Sequence, residues 1–268
     1  MRHASDTSQG QSLATIDKER RIGAALSVSM RIASRALGGK GYTFWHFDAN
    51  AGSGWNEKIN TPGSPLVFWQ VADVCLSGFK PAAFFCDLDV DAMRRLQSRL
   101  RSIPGSASAS YLLPGDNQEG LEVFAECIRR SEKTKYAMGS VVIDPNGYYY
   151  RNPKGIGAPI YALQWFCREF PRIDIVLNLN IRTYQLQASQ GHNVLPPREV
   201  LYGLNRKHWL VAQAHVSTGR FLLAVGRNFE TGDHKNLQLY RHDSAEGEYI
   251  LNMADGKRQG VLDGVSKL

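Results

Sequence analysis

Polar groups, most of them carboxylates, follow five apolar stretches of the 268-residue chain at the points where those stretches end. They are Asp48, Asp87-Leu88-Asp89, Gly115-Asp116-Asn117, Asp144 and Asn178-Leu179-Asn180. Carboxylates accept hydrogen bonds from hydroxyl, amino and cationic groups. Because ligands of open parallel sheets bind at the carboxyl ends of the strands, this set predicts a ligand site along one edge of such a sheet.

The segment HFDANAGSGWN (46–56) contains two glycines one position apart, Gly52 and Gly54. The dinucleotide pattern G-x-G-x-x-G requires a sixth-position glycine, but Glu57 stands there and its charge disfavours a pyrophosphate. The triphosphate-binding pattern G-x-x-x-x-G-K-[ST] is absent from the sequence. Two interpretations remain: a tight turn without a ligand, or a loop that binds S-adenosylmethionine, which carries a sulfonium, an amino group and a ribose diol but no phosphate.

The strand-end acids suit this cofactor at three points. Asp48 would face its cationic end, Asp87 would accept hydrogen bonds from both ribose hydroxyls, and Asp116 would accept one from the adenine amino group. The predicted cofactor-binding residues are Asp48, Ala49, Asn50, Gly52, Gly54, Asp87, Leu88, Asp116 and Asn117.

The segment IDPNGYYY (143–150) has the groups needed to methylate an exocyclic base amine. Asp144 would accept the amine protons, the carbonyl of Pro145 would orient the amine, and Tyr148 or Tyr149 would stack on the base. A base within a duplex would have to be flipped out to reach such a pocket. The predicted catalytic residues are Asp144, Pro145, Asn146 and Tyr148. The alternative is a plain β-turn, because D-P and N-G are strong turn formers.

Alternating strand and helix patterns would position these residues. Apolar periodicity predicts a first helix over Ile16–Leu37. Strands are predicted at 42–47, 82–87, 109–114, 139–144 and 173–179, with helices at Pro65–Leu76, Asp91–Leu100, Gly120–Glu132 and Ile160–Phe170 between them. The runs 208–216 and 219–229 predict an antiparallel hairpin. The sequence therefore predicts an α/β, Rossmann-like fold of the class I methyltransferase type, with a mostly parallel seven-stranded sheet, a C-terminal antiparallel hairpin and helices on both faces.

Composition limits the classes of protein that remain. We expect a disordered N-terminus over 1–20, a methyltransferase-like domain over 21–229 and a C-terminal appendage over 230–268. The sequence contains no apolar run long enough to cross a bilayer and no signal-peptide pattern, which predicts a cytoplasmic protein that does not bind membranes. Scattered cysteines and histidines predict no metal site.

A basic charge balance favours a polyanionic partner. The net charge of +7 predicts contact with nucleic acid, DNA or RNA. The segment 180–209 mixes Arg182, Arg198, Arg206 and Lys207 with Tyr184 and Tyr202. Basic and aromatic side chains in one segment suit phosphate contact and base stacking, although a solvated surface loop with a helix explains the pattern equally well.

Several motifs taken together resemble known families. FDANAGSG (47–54) resembles the D-x-x-x-G-x-G motif of class I S-adenosylmethionine-dependent methyltransferases. With GSPL (63–66), FFCDLD (84–89), GDNQ (115–118), VVIDPNG (141–147) and DIVLNLNIRTYQ (174–185), it resembles the three-Cys-motif partner protein family over residues 22–215. A looser similarity is to the D-P-P-Y group of adenine methyltransferases, from which this chain departs at Asn146 and Tyr148.

The resemblance implies a Rossmann-like fold and a partner protein encoded nearby. It also implies that Gly52 and Gly54 pass beneath the cofactor, that Asp87 holds the ribose and that Asp116 faces the adenine. Two functions are consistent with these features. One is an S-adenosylmethionine-dependent methyltransferase acting on an exocyclic amine of a nucleic-acid base; the other is a catalytically inactive methyltransferase-like partner protein of a mobile-element or defence-type system.

Overall fold

The computed structural model describes residues 13–37, 42–76, 80–144, 160–216, 219–230 and 232–256. The strands of this part of the chain are β1 (Thr43–Asp48), β2 (Trp55–Asn56), β3 (Thr61–Pro62), β4 (Lys80–Asp87), β5 (Ser110–Pro114), β6 (Met138–Ile143), β7 (Ile173–Asn180), β8 (His208–Val216), β9 (Gly219–Arg227) and β10 (Tyr240–Arg241). Its α-helices are α1 (Leu13–Leu37), α2 (Ser64–Cys75), α3 (Val90–Leu100), α4 (Ser106–Ala109), α5 (Asn117–Ser131), α6 (Ile160–Glu169), α7 (Ile181–Ser189), α8 (Pro197–Gly203) and α9 (Ala245–Ala254).

The central sheet has the strand order β10-β8-β9-β7-β6-β1-β4-β5. Strands β5, β4, β1, β6 and β7 pair in parallel, β9 is antiparallel to both β7 and β8, and β10 is antiparallel to β8. This arrangement confirms the predicted α/β fold with a mostly parallel sheet and a C-terminal antiparallel hairpin. The sequence prediction missed the edge strand β10, which makes this sheet eight-stranded.

Side chains of the strands alternate between two apolar layers, as the two-residue period of a strand requires. In β1, Trp45 and Phe47 pack in the layer that contains residues of α5, α6, α8 and α9. Phe44 packs in the opposite layer, with residues of α1, α2 and α3, and His46 stacks on Phe68 of α2 at a ring-centroid distance of 3.9 Å. Helices therefore cover both faces of the sheet, as predicted.

Polar residues at strand ends also start helices. The side chain of Asp89 accepts hydrogen bonds from the amides of Asp91 and Ala92 at the start of α3. Asp116 accepts one from Gln118 at the start of α5, and Asn180 caps α7 in the same way. N-caps of this kind satisfy amides that have no partner within the helix. Part of the polar pattern at the strand ends is thus explained by helix capping alone.

Both ends of the described chain take part in the fold. Helix α1 begins at Leu13, so residues 13–20, which composition assigned to a disordered N-terminus, are helical. In the predicted appendage 230–268, β10 pairs with β8 and α9 places Leu251 in the apolar core. Among the described residues, no helix is both long and apolar enough to cross a membrane.

Candidate ligand site at the carboxyl ends of the strands

The order of the central strands reverses at β1. From β1 the chain continues to β4 and β5 on one side and then returns to β6 on the other. In open α/β sheets, such a reversal leaves a crevice outside the carboxyl ends of the strands, where ligands bind. Asp48 is the last residue of β1 and Asp144 directly follows β6. The structure thus brings these two predicted site residues together at the crevice.

Asn50 connects the loop after β1 to the end of β6. Its backbone amide donates to Asp48 Oδ1 at 3.1 Å, and its side-chain oxygen accepts from the amide of Asp144 at 3.3 Å. The amide of the buried Ala49 donates to the carbonyl of Val142 at 3.0 Å. These bonds fix the two loops against each other, so the positions of Asp48 and Asp144 are coupled.

Two residues of α1, Lys18 and Glu19, extend into this site, and neither is among the site residues predicted from the sequence. Lys18 Nζ donates to Asp144 Oδ2 at 2.5 Å and lies 3.3 Å from Glu19 Oε1. Asn178 Nδ2 donates to the other carboxylate oxygen of Asp144 at 2.6 Å. Both oxygens of Asp144 therefore have a donor. The helical period from Ile16 onward indicated that Lys18 and Glu19 are helical, but no local signal connects them to a loop more than a hundred residues away.

Three oxygen atoms of the site are buried without a hydrogen-bond partner in the described part of the chain. They are Oδ2 of Asp48, Oε2 of Glu19 and Oδ1 of Asn178. A buried acceptor with no donor is costly, and most such groups in proteins are satisfied by protein, water or a ligand. The three oxygens therefore suit a ligand that carries N–H donors or positive charge.

Burial controls the ionisation of these groups. It raises the pKa of Asp48 to about 7, against the hydrogen bonds from Ser64 and from the Asn50 amide, and the charges of Glu19 and Asp144 raise it further. Burial likewise raises the pKa of Glu19, which Lys18 opposes. Burial disfavours the Lys18 ammonium, but Asp144 and Glu19 outweigh it and raise the pKa of Lys18 above its ordinary value. The site is therefore a low-dielectric cluster with more potential negative charge than positive charge.

Asp87 lies beside the glycine loop. Its Oδ2 accepts from the amide of Gly52 at 2.8 Å and its Oδ1 from the amide of Asp89 at 2.9 Å. Each carboxylate oxygen retains a further lone pair, so Asp87 can still accept hydrogen bonds from a diol. The amide of Gly115 donates to the backbone carbonyl of Asp87 at 3.0 Å, which brings the loop after β5 next to this residue.

The remaining predicted residues are placed as follows. Asp116 is exposed at the start of α5, Asn117 is the first residue of that helix, and the side chain of Leu88 is 76% exposed. Pro145, Asn146 and Tyr148 lie outside the described residues.

The two glycines of the loop have different surroundings. Both have positive φ, +55° at Gly52 and +73° at Gly54. A Cβ at Gly52 would have no atom of the described residues within 4 Å, whereas one at Gly54 would lie 2.6 Å from Cδ1 of Leu96 in α3. Gly54 thus allows the loop to pack on α3, and among the described residues the space at Gly52, beside Asp87, is open.

We expect Gly52→Ala to lower the free energy of unfolding by about 1 kcal/mol, the cost of a left-handed non-glycine residue. Gly54→Ala adds a clash with Leu96 and should cost about 3 kcal/mol. Urea denaturation of the two variants tests the difference. Equal losses would show that the space beside Gly52 is not open.

Two of the basic side chains in the segment 180–209, Arg198 and Arg206, bind acceptors of the protein itself and not a phosphate backbone. Arg198 donates to Glu248 and Asp255, which joins α8 to α9. Arg206 is buried and donates to the carbonyls of Cys167, Phe170 and Ile173. The interpretation of Arg198 and Arg206 as phosphate contacts is therefore wrong. The spacing of these arginines gave no indication of their partners, which lie far away in the sequence.

Within the described part of the chain, no group of three or more histidine, cysteine or acidic residues is arranged to hold a metal ion. The four cysteines are free thiols.

Burial lowers the pKa of His46 to about 3, and its Nδ1 lies 2.9 Å from Ser140 Oγ. His46 is thus a neutral and fully buried core residue.

No protein-family model matches the sequence, and no curated protein matches it. Solved structures with a similar fold include protein LPL1258 from Legionella pneumophila, with 12% identity, coverage of 92% of this chain and 94% of that one, and a TM-score of 0.53. An rRNA methylase from Streptococcus thermophilus has 10% identity, coverage of 78% and 93%, and a TM-score of 0.41. The N-terminal domain of human METTL16 has 7% identity, coverage of 70% and 62%, and a TM-score of 0.42. The Legionella protein shows a shared fold alone, and the other two, with lower TM-scores, add nothing to that conclusion.

Proposed function

We propose that the chain is an S-adenosylmethionine-dependent methyltransferase that acts on an exocyclic amine of a nucleic-acid base. The observation that carries the proposal is the reversal of strand order at β1, together with buried oxygens of Asp48, Glu19 and Asn178 that have no hydrogen-bond partner among the described residues. A cofactor with an ammonium and a sulfonium supplies what these oxygens need. The resemblance to class I methyltransferases, and to the three-Cys-motif partner protein family among them, is consistent with this ligand.

The residues present fit the cofactor part by part. Asp48 would bind its cationic end, and Asp87 would accept from the ribose hydroxyls with the lone pairs that Gly52 and Asp89 leave free. The open face of Gly52 gives room for the ligand, and Asp116 would accept from the adenine amino group. When bound, S-adenosylmethionine would supply a methyl group on an electrophilic carbon.

The acceptor side of the proposal rests on Asp144. Its carboxylate would hold a proton of the target amine, with the Pro145 carbonyl orienting the amine and Asn146 and Tyr148 completing the pocket. The net charge of +7 supports a nucleic-acid substrate. Since the described carboxylates of this edge would repel phosphates, the backbone of that substrate must be bound away from the crevice and only the flipped base would enter it.

The cofactor assignment is tested by calorimetric titration with S-adenosylmethionine. We expect wild-type protein to bind it and Asp87→Ala to weaken binding about 10- to 100-fold, the value of charge-assisted hydrogen bonds to one carboxylate. Asp73→Ala, which removes an exposed carboxylate of α2, serves as the matched control and should bind as wild type does. Failure of wild-type protein to bind at millimolar concentrations contradicts the proposal.

One observation favours a second candidate, a methyltransferase-like binding partner without catalysis. Lys18 and Asn178 already donate to both oxygens of Asp144, so a target amine would have to share this carboxylate with a cation and an amide, which weakens it as an acceptor for the amine proton. Transfer of a labelled methyl group to bulk DNA or RNA separates the two functions. The enzyme hypothesis predicts transfer that Asp144→Asn reduces at least about 100-fold; cofactor binding without any transfer supports the partner hypothesis.

A further inference from the structure

One lysine lies among three carboxyl groups in the crevice. Glu19, Asp48 and Asp144 interact electrostatically with one another, and Lys18 contacts two of them directly, at 2.5 Å from Asp144 and 3.3 Å from Glu19. We call these four residues the crevice cluster. When all four are ionised, its charge is −2.

The crevice cluster and the neighbouring Asn178 are buried. Asp48 is 0%, Asn178 3% and Glu19 7% exposed, and each has one oxygen without a donor in the described part of the chain. Water therefore screens the cluster little, and a unit charge placed beside it changes the interaction energy far more than it would at the surface.

Neighbouring cations of α1 face elsewhere. Arg20 pairs with Asp17 and its side chain is 70% exposed. Arg21 donates to Asp17 and to Gln238. Of the three cationic residues Lys18, Arg20 and Arg21, Lys18 alone is seen to donate into the crevice cluster within the described part of the chain.

We propose that Lys18 and Glu19 of α1 set the charge preference of the crevice, and so determine how strongly it prefers the sulfonium of S-adenosylmethionine to the uncharged thioether of the demethylated product, S-adenosylhomocysteine. This inference rests on the proposed function, because it assumes that the cofactor binds here. Lys18 reduces the negative charge that attracts a sulfonium, and Glu19 increases it. With Lys18 but no Glu19, the site would discriminate too weakly between the two ligands. With Glu19 but no Lys18, it would bind the cofactor too tightly. Together the two residues allow the product to leave.

The two residues should act in opposite directions on the ratio of the dissociation constants for the two ligands. Removing the Lys18 charge with Lys18→Met makes the cluster more negative, and we expect the preference for S-adenosylmethionine to rise on the order of tenfold. Removing the Glu19 charge with Glu19→Gln should lower it by a similar factor. Arg20→Gln deletes a positive charge from the same helical turn at an exposed position and should leave the ratio unchanged.

Calorimetric titration of the full chain with each ligand, at one pH and ionic strength, measures the ratio. Glu19→Gln replaces a carboxylate that already has an unpartnered oxygen, so it is the variant expected to fold best, and it tests the inference even if Lys18→Met does not fold. Opposite changes for Lys18→Met and Glu19→Gln, with none for Arg20→Gln, support the inference. An unchanged ratio in Glu19→Gln overturns it, as does an equal change in Lys18→Met and Arg20→Gln. If wild-type protein binds neither ligand, the proposed function itself is overturned.

Discussion

At pH 8, Asp48→Asn is expected to unfold with a free energy about 4 kcal/mol larger than that of the wild-type protein, and the advantage should disappear in acid. Asp48 is fully buried, and burial raises its pKa from 3.8 to about 7. Folded protein therefore holds the proton of this carboxyl more tightly than unfolded protein does. The stability that the protonated acid contributes is fully present below pH 3.8 and is lost as the pH rises to about 7.

The amide of an asparagine keeps an acceptor for the Asn50 backbone and never ionises. The stability difference between variant and wild type should therefore grow by about 1.4 kcal/mol per pH unit through the acidic range and become constant above about pH 7. Urea denaturation at a series of pH values measures this curve. Asp73→Asn, at an exposed position of α2, should show no such dependence. Parallel stability curves for Asp48→Asn and wild type would contradict the raised pKa.

Arg227→Met is expected to lower the free energy of unfolding by about 3–5 kcal/mol, the cost of leaving one partner of a buried ion pair alone. Arg227 of β9 is 1% exposed and its Nη2 donates to Oδ2 of Asp174 in β7 at 2.8 Å. Ser29 of α1 donates to the same oxygen at 2.5 Å. Burial raises the pKa of Asp174, which Arg227 opposes, so loss of the guanidinium leaves a buried carboxylate with the Ser29 hydroxyl as its donor among the described residues.

The double variant Arg227→Met/Asp174→Leu should regain most of this loss, because it removes both charges from the interior. The matched control is Arg94→Met, which breaks an exposed pair with Asp91 and should cost less than about 1 kcal/mol. Chemical denaturation of wild type, Arg227→Met, Asp174→Leu and the double variant completes a double-mutant cycle. A double variant that is less stable than Arg227→Met would show that the pair is a net source of stability rather than a compensated cost.

The sequence was sufficient to predict the parallel strands within two residues and four of the helices between them within three, but the short helix α4 was missed. Their signals are local: an apolar run gives a strand, and a helical period with a cap gives a helix. It was also sufficient to predict that Asp48 and Asp144 share one edge, because parallel strands carry their carboxyl ends to the same side.

Contacts between distant segments were not predictable in this way. Lys18 and Glu19 reach the site because α1 packs across the sheet near β6. The sequence of residues 13–20 does not indicate which strands α1 will pack on. Arg198 and Arg206 were assigned to a surface because arginine is usually exposed, but α9 and the end of α6 supply acceptors for them. The unpartnered oxygens of the crevice depend on three-dimensional packing and have no sequence signal.

The short strand β10 has a consequence for solubility. Strand β8 would otherwise be the last strand of the sheet, with a row of backbone groups open to pairing with a second molecule. Tyr240 and Arg241 pair with Val211 and Leu210, and the His242 amide donates to the carbonyl of Trp209 at 2.8 Å. Shortening the chain before β10 would uncover this edge. Residues 240–242 therefore cover the part of the β8 edge at Trp209, Leu210 and Val211 and remove it as a site for edge-to-edge aggregation.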